Sequence, residues 1–222
     1  MAPRPRSEAL TIAGPAGSLE AIVERPELAD GASPRGAAVI CHPHPQHGGA
    51  MTNKVTYTLA RAFVLSGFAA VRFNFRGVGE SEGAYAEGIG ELADTLSVID
   101  WARAEWAVPS VALAGFSFGA AMSVLASNAR ELTQLTLVAP PVGRILDPET
   151  RLPAGLATLV VQGGQDDVVD PDAVLAWTNA QAPGLRVAWL EDAGHFFHGK
   201  LTELREALVT EITARAEGSD AA

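Results

Sequence analysis

The sequence predicts a single α/β domain built on a mostly parallel central sheet of about eight strands, with helices on both faces. Three observations predict this class. The chain has 222 residues, 48% of them hydrophobic, which is enough for one large core. Short apolar runs alternate with stretches of helical spacing, and the runs show little in–out alternation, which is typical of strands buried on both faces. We expect one domain over residues 1–222, with frayed ends at 1–7 and 217–222.

The first two predicted elements form a hairpin. EALTIAG and SLEAIVERP have strand character and flank the turn sequence Gly-Pro-Ala-Gly. Further strands are then predicted at GAAVIC, GFAAVRFNF, VALAGF, QLTLVAP, LATLVVQGG and LRVAWLED. Helices are predicted at NKVTYTLARAFVLSG, GELADTLSVIDWARAEWA, GAAMSVLASNAR, PDAVLAWTNAQA and LTELREALVTEITARA, the fourth preceded by a capping aspartate with proline in its first turn. Only residues 141–155 form a longer irregular connection.

The composition excludes several classes of protein. A net charge of -10 argues against nucleic-acid binding, which needs clustered Lys and Arg. The lone cysteine, Cys41, excludes a disulfide within the chain and is compatible with a reducing compartment. No apolar run approaches the roughly 20 residues of a membrane span, and no signal peptide is recognisable. We therefore expect a cytoplasmic protein without nucleic-acid or membrane partners, and the choice between monomer and homodimer stays open.

The strongest chemical signal is LAGFSFGAA at residues 113–121, which fits G-x-S-x-G with Gly115, Ser117 and Gly119. It falls where a predicted strand ends and a predicted helix begins. A serine on such a sharp turn is held in a strained conformation that exposes its hydroxyl, and small flanking residues let strand and helix approach closely. The alternative is a glycine-rich turn whose serine only caps the helix. The flanking strand and helix favour Ser117 as a nucleophile.

A nucleophilic serine needs a general base and an acid that orients the base. Asp166 and Asp167 follow a predicted strand in LVVQGGQDDVVDP, and His195 follows the last predicted strand in VAWLEDAGHFFHG. The carboxyl ends of parallel strands meet at one edge of a sheet, so these side chains are expected to converge there. His198 competes with His195 as the base, and the adjacent aspartates compete as the acid.

The G-x-S-x-G turn, together with GGQDDVV, DAGHFF and FNFRGVGESEG, resembles the α/β-hydrolase superfamily over nearly the whole chain. The chain looks most similar to small bacterial serine hydrolases that lack a lid. The resemblance implies an acid three positions after Gly163, which selects Asp166, and it matches His195 to the turn after the last strand. It thus implies a Ser117, His195 and Asp166 triad. Lids are usually inserted after the sixth strand, where about fifteen residues cannot bury a core, so we expect no lid domain.

The stretch VICHPHPQHGG, residues 39–49, places His42, His44 and His47 directly after a predicted strand. Some binuclear zinc hydrolases present metal ligands in this way. Such a site also needs an aspartate beside the last histidine, where this chain has Gln46, and further ligands downstream. The two prolines of the stretch also restrict a backbone that would have to wrap a metal ion. We therefore expect no metal ion and no other cofactor.

The α/β-hydrolase resemblance implies a different use for the same loop. The loop after the third strand gives one backbone N–H to the oxyanion hole, and the residue after the nucleophile, here Phe118, gives the other. Similar enzymes use the second position after the strand-ending histidine, which matches His44, and Pro43 and Pro45 have no N–H to donate. The side chains of His42 and His47 are then expected to pack or to form hydrogen bonds locally.

The turn FNFRGVGESEG invites a dinucleotide-binding interpretation, but its third glycine is at position 83 instead of 82, so the G-x-G-x-x-G pattern fails. We expect instead a turn beneath the site in which carboxylates hold Arg76. Glu91 and Asp94 are both candidates for this partner.

Together these residues predict a metal-independent serine hydrolase that acts on short-chain carboxylic esters, a small-molecule substrate class, through an acyl-enzyme. The cleft should be open, because no lid is expected, and lined by Phe116, Phe196, Phe197 and Tyr85. A thioesterase or a peptidase would use the same residues. A non-catalytic binding protein on the same scaffold is the alternative from another class, and the intact set of serine, aspartate and histidine argues against it.

Overall fold

In the computed structural model, an eight-stranded sheet forms the centre of the described residues, which are 6–29, 32–181 and 185–219, without the side chains of 215–219. The strands are β1 (Arg6–Gly14), β2 (Gly17–Arg25), β3 (Ala37–Cys41), β4 (Ala69–Phe73), β5 (Val111–Phe116), β6 (Leu132–Val138), β7 (Thr158–Gly163) and β8 (Leu185–Leu190). Of the ends expected to fray, 1–5 and 220–222 lie outside the described residues. Residues 6 and 7 begin β1, and 217–219 belong to the last helix.

The strand order is β1-β2-β4-β3-β5-β6-β7-β8. The predicted hairpin pairs β1 with β2 antiparallel, and β2 also pairs antiparallel with β4. The other neighbouring strands are parallel. Every residue of β3, β4, β5 and β7 is buried, because helices cover both faces of the sheet there, as their continuous apolar runs predict. The predicted fold class is confirmed.

The helices in the described part of the chain are α1 (Lys54–Leu65), α2 (Ile89–Glu105), α3 (Phe118–Ser127), α4 (Pro171–Asn179) and α5 (Leu201–Ser219). Buried side chains of α1 and α5 pack on one face of the sheet, and those of α2, α3 and α4 pack on the other. The predicted cap of α4 is present, because the side chain of Asp170 accepts a hydrogen bond from the backbone N–H of Asp172.

The connection between β6 and β7 contains only an isolated bridge between Val142 and Leu146 and no helix. It lies against α4, where the indole N–H of Trp177 donates to the carbonyl oxygen of Thr150 at 2.9 Å. No lid domain is formed here, as predicted. Among the described residues, no helix is long and apolar enough to cross a membrane.

Candidate active site

Ser117 lies on the turn between β5 and α3, as the sequence predicts. Its backbone has φ 53° and ψ −116°, which is a strained conformation for any residue other than glycine. The turn is held in place because the N–H of Ser117 donates to the carbonyl oxygen of Val138, at the end of β6, at 2.9 Å. The serine is partly exposed while its neighbours Phe116 and Phe118 are buried, so the turn directs its hydroxyl away from the core.

The glycines on either side of the serine are required by close contacts. A Cβ atom at Gly115 would lie 2.2 Å from the backbone of Gly119, and one at Gly119 would lie 2.4 Å from the carbonyl oxygen of Cys41. There is therefore no room for a side chain where strand β5, the first turn of α3 and the end of β3 meet. This contact explains why the motif has glycine two positions before and two positions after the serine.

Ser117, His195 and Asp166 form a continuous chain of hydrogen bonds. Nε2 of His195 lies 3.2 Å from Oγ of Ser117, and Nδ1 lies 2.8 Å from Oδ2 of Asp166. An ionised carboxylate can only accept, so Nδ1 bears the proton and the lone pair of Nε2 faces the serine. His195 and Asp166 are buried and Ser117 is partly exposed, so the arrangement can activate a hydroxyl at the surface of the protein.

The competing residues lie outside this chain of hydrogen bonds. Asp167 and His198 are exposed, whereas Asp166 and His195 point inward from the loops after β7 and β8. The backbone N–H groups of Val168 and Val169 donate to Oδ1 of Asp166 at 2.9 and 2.8 Å. The geometry therefore joins Asp166, rather than its neighbour, to the histidine.

The pKa of Asp166 lies below its usual value of 3.8. Burial alone would raise it, but the hydrogen bond to His195 and those from the backbone of Val169 and Val168 outweigh burial, because they stabilise the charged form. A further donor is Gln162, whose Nε2 lies 3.1 Å from Oδ2. We did not predict this contact from the sequence, although a glutamine inside the apolar run LVVQGG signals a buried polar group that needs a partner.

The backbone N–H groups of His44 and Phe118 are both available near the serine. Neither donates a hydrogen bond within the part of the chain that the structure describes. Phe118 is the first residue of α3, and the rings of the two residues lie 4.9 Å apart between centroids. Two free N–H groups on the two elements that meet at Ser117 can hold an oxygen that becomes negatively charged.

The three histidines of HPHPQHGG have different surroundings. His42 is fully buried, with its two ring nitrogens 2.6 Å from the carbonyl oxygen of Pro43 and 3.0 Å from the backbone nitrogen of Phe75. His44 accepts a hydrogen bond at Nδ1 from the N–H of Gln46, and the exposed ring of His47 stacks on it. Within the described ranges, no group of three His, Cys, Asp or Glu side chains is placed to hold a metal ion.

The expected aromatic lining of the cleft needs correction. Phe197 is completely buried with the side chains of α1 and α5, so it anchors the loop of His195 in the core instead of facing a ligand. Phe116 is also fully buried and packs 5.0 Å from the ring of His195. Phe196 is 48% exposed, and Tyr85 is partly exposed with its hydroxyl 3.4 Å from Nε2 of His44. These last two leave aromatic surface for a substrate.

The partner of Arg76 is Asp94. Two parallel hydrogen bonds join the guanidinium to the carboxylate, at 2.9 and 2.6 Å, and the backbone N–H of Arg76 donates to the same group at 3.1 Å. The pKa of Arg76 is raised mainly by this hydrogen bonding. Glu91, the other candidate, instead accepts from the N–H groups of Ala86 and Gly88 at the start of α2.

Comparison with known proteins gives the wider context of this site. The family model described as X-Pro dipeptidyl-peptidase (S15 family) matches residues 17–145. This range includes the loop of His44 and the turn of Ser117 and ends before Asp166 and His195. An uncharacterised protein of Rickettsia prowazekii (strain Madrid E) is 32% identical over 180 residues, which is 77% of this chain and 76% of that protein.

Two solved structures are similar over nearly the whole chain. A member of the α/β serine hydrolases without lid, from Xanthomonas campestris, is 42% identical with a TM-score of 0.86, covering 93% of this chain and 94% of its own. An α/β serine hydrolase homologue from Coxiella burnetii is 43% identical with a TM-score of 0.84, covering 91% of this chain and 96% of its own. The similarity therefore extends into the part of the chain beyond the family-model match.

Proposed function

The chain belongs to the S15 peptidase family and so to the α/β-hydrolase superfamily, and from this premise we propose that it is a metal-independent serine hydrolase that cleaves short-chain carboxylic esters. One observation carries the proposal. The partly exposed Ser117 hydroxyl, on a strained turn, is joined through His195 to the buried Asp166 by contacts of 3.2 and 2.8 Å. This is the arrangement that activates a serine for attack on a carbonyl carbon.

In the proposed mechanism, Nε2 of His195 takes the proton of Ser117 as Oγ forms a bond to the ester carbonyl. Asp166 holds the ring in the reactive tautomer and stabilises its protonated form. The N–H groups of His44 and Phe118 donate to the oxyanion of the tetrahedral intermediate. His195 then returns the proton to the leaving alkoxide. In the second half of the reaction, a water gives a proton to the same Nε2 as its oxygen bonds to the acyl carbon, and His195 passes that proton to Oγ of Ser117 as the carboxylic acid leaves.

The surroundings of the serine favour a small ester. Ser117 is partly exposed, and the connection between β6 and β7 adds no helix among the described residues. Phe196 and Tyr85 offer aromatic surface near it. Exposed aromatic surface beside an uncovered serine suits a short acyl group, which does not need to be enclosed.

A peptidase is the second candidate, because the matching family model describes X-Pro dipeptidyl-peptidases. The matched range contains Ser117, the proposed nucleophile, and the proposed oxyanion donors, which an ester and an amide would use alike. An amide differs at the leaving group, because the departing amine must be protonated by His195 before the bond breaks.

The first test is intact-mass analysis after treatment with a fluorophosphonate, on wild type and Ser117→Ala, with and without EDTA. We expect a single adduct on wild type alone, independent of EDTA. No adduct on folded wild type would overturn the mechanism and favour a binding protein, and an adduct prevented by EDTA would overturn its independence from metal.

The second test compares kcat/KM on p-nitrophenyl esters from acetate to dodecanoate, on acyl-CoA thioesters and on Xaa-Pro p-nitroanilides. We expect the highest kcat/KM on the short esters. A higher value on the anilides would replace the esterase with a peptidase, and a higher value on the thioesters would replace it with a thioesterase.

A further inference from the structure

The imidazole of His42 connects two backbone segments below the site. It is fully buried between the ends of β3 and β4, and both of its ring nitrogens have partners. The N–H of Phe75 can only donate, so Nε2 accepts, at 3.0 Å. Nδ1 therefore bears the proton of the neutral ring and donates to the carbonyl oxygen of Pro43, at 2.6 Å. The two contacts specify one tautomer.

The carbonyl group of Pro43 and the N–H of His44 belong to the same peptide unit. A peptide unit is planar, so a hydrogen bond that fixes the carbonyl oxygen also fixes the direction of the N–H on the other side. Donation to the oxygen also polarises the amide and makes its N–H a stronger donor. The ring of His42 thus acts on the N–H that is proposed to hold the oxyanion.

We propose that His42 is a positioning residue for oxyanion stabilisation, because its imidazole links the N–H of Phe75 to the Pro43–His44 peptide and so aims and polarises the N–H of His44. This inference rests on the proposed function, since it requires that N–H to face the oxyanion. The buried side chain of His42 then contributes to the reaction without touching the substrate.

The rest of the loop is built around the same carbonyl group. A Cβ atom at Gly49 would lie 2.0 Å from the carbonyl oxygen of Pro43, so the loop closes directly over it. The N–H groups of His47 and Gly49 both donate to the carbonyl oxygen of His44, at 3.1 and 3.0 Å, which holds the following peptide as well. Burial lowers the pKa of His42 to about 4, against a smaller opposite effect of its bond to Pro43, so the ring stays neutral near pH 7.

Two substitutions of His42 each remove one of the two hydrogen bonds of its ring and keep the other. In His42→Asn, the side-chain amide N–H takes the place of Nδ1 and keeps the bond to Pro43, but the partner of Phe75 is lost. In His42→Gln, the amide oxygen takes the place of Nε2 and keeps the bond from Phe75, but the donor to Pro43 is lost. Both variants lose the ring and its packing, so each is the control for the other.

The test measures kcat and KM on a short p-nitrophenyl ester and the carbonyl stretching frequency of an acyl-enzyme with a chromophoric acyl group. We expect kcat of His42→Gln to be about 10-fold or more below that of His42→Asn, with similar KM, because the oxyanion contact is stronger in the transition state than in the ground state. The acyl carbonyl should also vibrate at higher frequency in His42→Gln, since its hydrogen bond is weaker. Equal kcat values, or equal frequencies, in the two folded variants would overturn the inference.

A second pair tests the proposed function separately. His44 has φ −54°, which proline can adopt, so His44→Pro removes the N–H while His44→Ala keeps it. If His44→Pro retains the kcat of His44→Ala, His44 is not an oxyanion donor and the premise fails. If His44→Pro loses activity but the two His42 variants behave alike, only the role of His42 fails. The fluorophosphonate adduct on wild type checks the nucleophile in both cases.

Discussion

At the scale of single residues, the site combines a strained backbone with side chains that are held by buried contacts. The positive φ of Ser117 costs folding free energy, of the order of 1–3 kcal/mol for such conformations, and persists because its N–H is bonded to Val138 and the flanking glycines close the turn. The strain belongs to the backbone and not to the hydroxyl. The strain can therefore be measured in variants that lack the hydroxyl.

We expect Ser117→Gly to be more stable than Ser117→Ala by about 1 kcal/mol, because glycine adopts φ 53° without a Cβ penalty. Urea unfolding monitored by circular dichroism gives the difference. Ser97, inside α2, is the matched control, since there alanine should be the more stable replacement by about 1 kcal/mol. The same order of stabilities at both positions would contradict strain at Ser117.

Gln162 is expected to hold Asp166 in its charged form. Its Nε2 donates to Asp166, while its buried Oε1 has no hydrogen-bond partner within the described chain. A buried oxygen without a partner lowers the stability of the fold. Gln162→Leu removes this donor and is expected to raise the pKa of Asp166, so the ¹³C NMR titration profile of the Asp166 carboxyl group should move to higher pH. Gln134→Leu, in β6, removes another buried amide with an unpaired oxygen and should leave the profile in place. A shift in both variants, or in neither, would refute this role.

Sequence patterns identified the residues that depend on local geometry and missed those that depend on tertiary contacts. The glycines two positions before and after Ser117 are predictable from the sequence, because the close approach of β5 and α3 excludes a side chain at those two positions. The contact of His42 with Phe75 joins residues 33 positions apart, so it required the register of β3 and β4. Phe196 and Phe197 are adjacent residues of the same type, so the sequence does not distinguish them. The positive φ of Phe197 turns its side chain into the core, whereas the side chain of Phe196 stays outside.

At the scale of elements, Arg76 and Asp94 join the turn after β4 to helix α2. The side chain of Asp94 is completely buried and that of Arg76 is 12% exposed. The sequence left Glu91 and Asp94 open because they lie three positions apart on one face of a helix, and only the rotation of α2 against the sheet decides between them. In the structure, one carboxylate holds the turn and the other caps the helix.

We expect Asp94→Ala to lower the free energy of unfolding by about 3–5 kcal/mol, because it leaves the guanidinium of Arg76 without its buried partner. The control is Asp100→Ala, which breaks a geometrically similar pair with Arg130 whose side chains are 34% and 49% exposed. That change should cost about 1 kcal/mol or less. Equilibrium unfolding in urea measures the free energy of unfolding of both variants. Comparable losses of stability would show that burial of the ion pair does not determine the effect of breaking it.

At the scale of the whole molecule, the stability of the fold depends on pH through His42. Unfolding exposes an imidazole that binds a proton below its ordinary pKa of 6.5, whereas the folded protein binds it only below about 4. Between these values the unfolded state carries more protons, so the free energy of unfolding falls as the pH falls. Over the full window the contribution of this one ring amounts to about 3 kcal/mol.

We therefore expect the free energy of unfolding of wild type to decline from about pH 6.5 to about pH 4 more steeply than that of His42→Gln. Urea titrations at several pH values across this range provide the two curves. The other histidines are common to both proteins, so the difference between the slopes isolates His42. Parallel curves would show that the ring is not kept neutral by the fold.

The order of the site residues along the chain also determines when each of them is present during translation. A ribosome releases β3, β5 and the Ser117 turn first, and His195 follows this serine by 78 positions. The base arrives with β8, an edge strand whose sheet partner is β7. Under the proposed mechanism, a growing chain bears a serine of ordinary reactivity until that strand docks. Under the same mechanism, a chain still on the ribosome cannot turn over substrate until translation has passed residue 195.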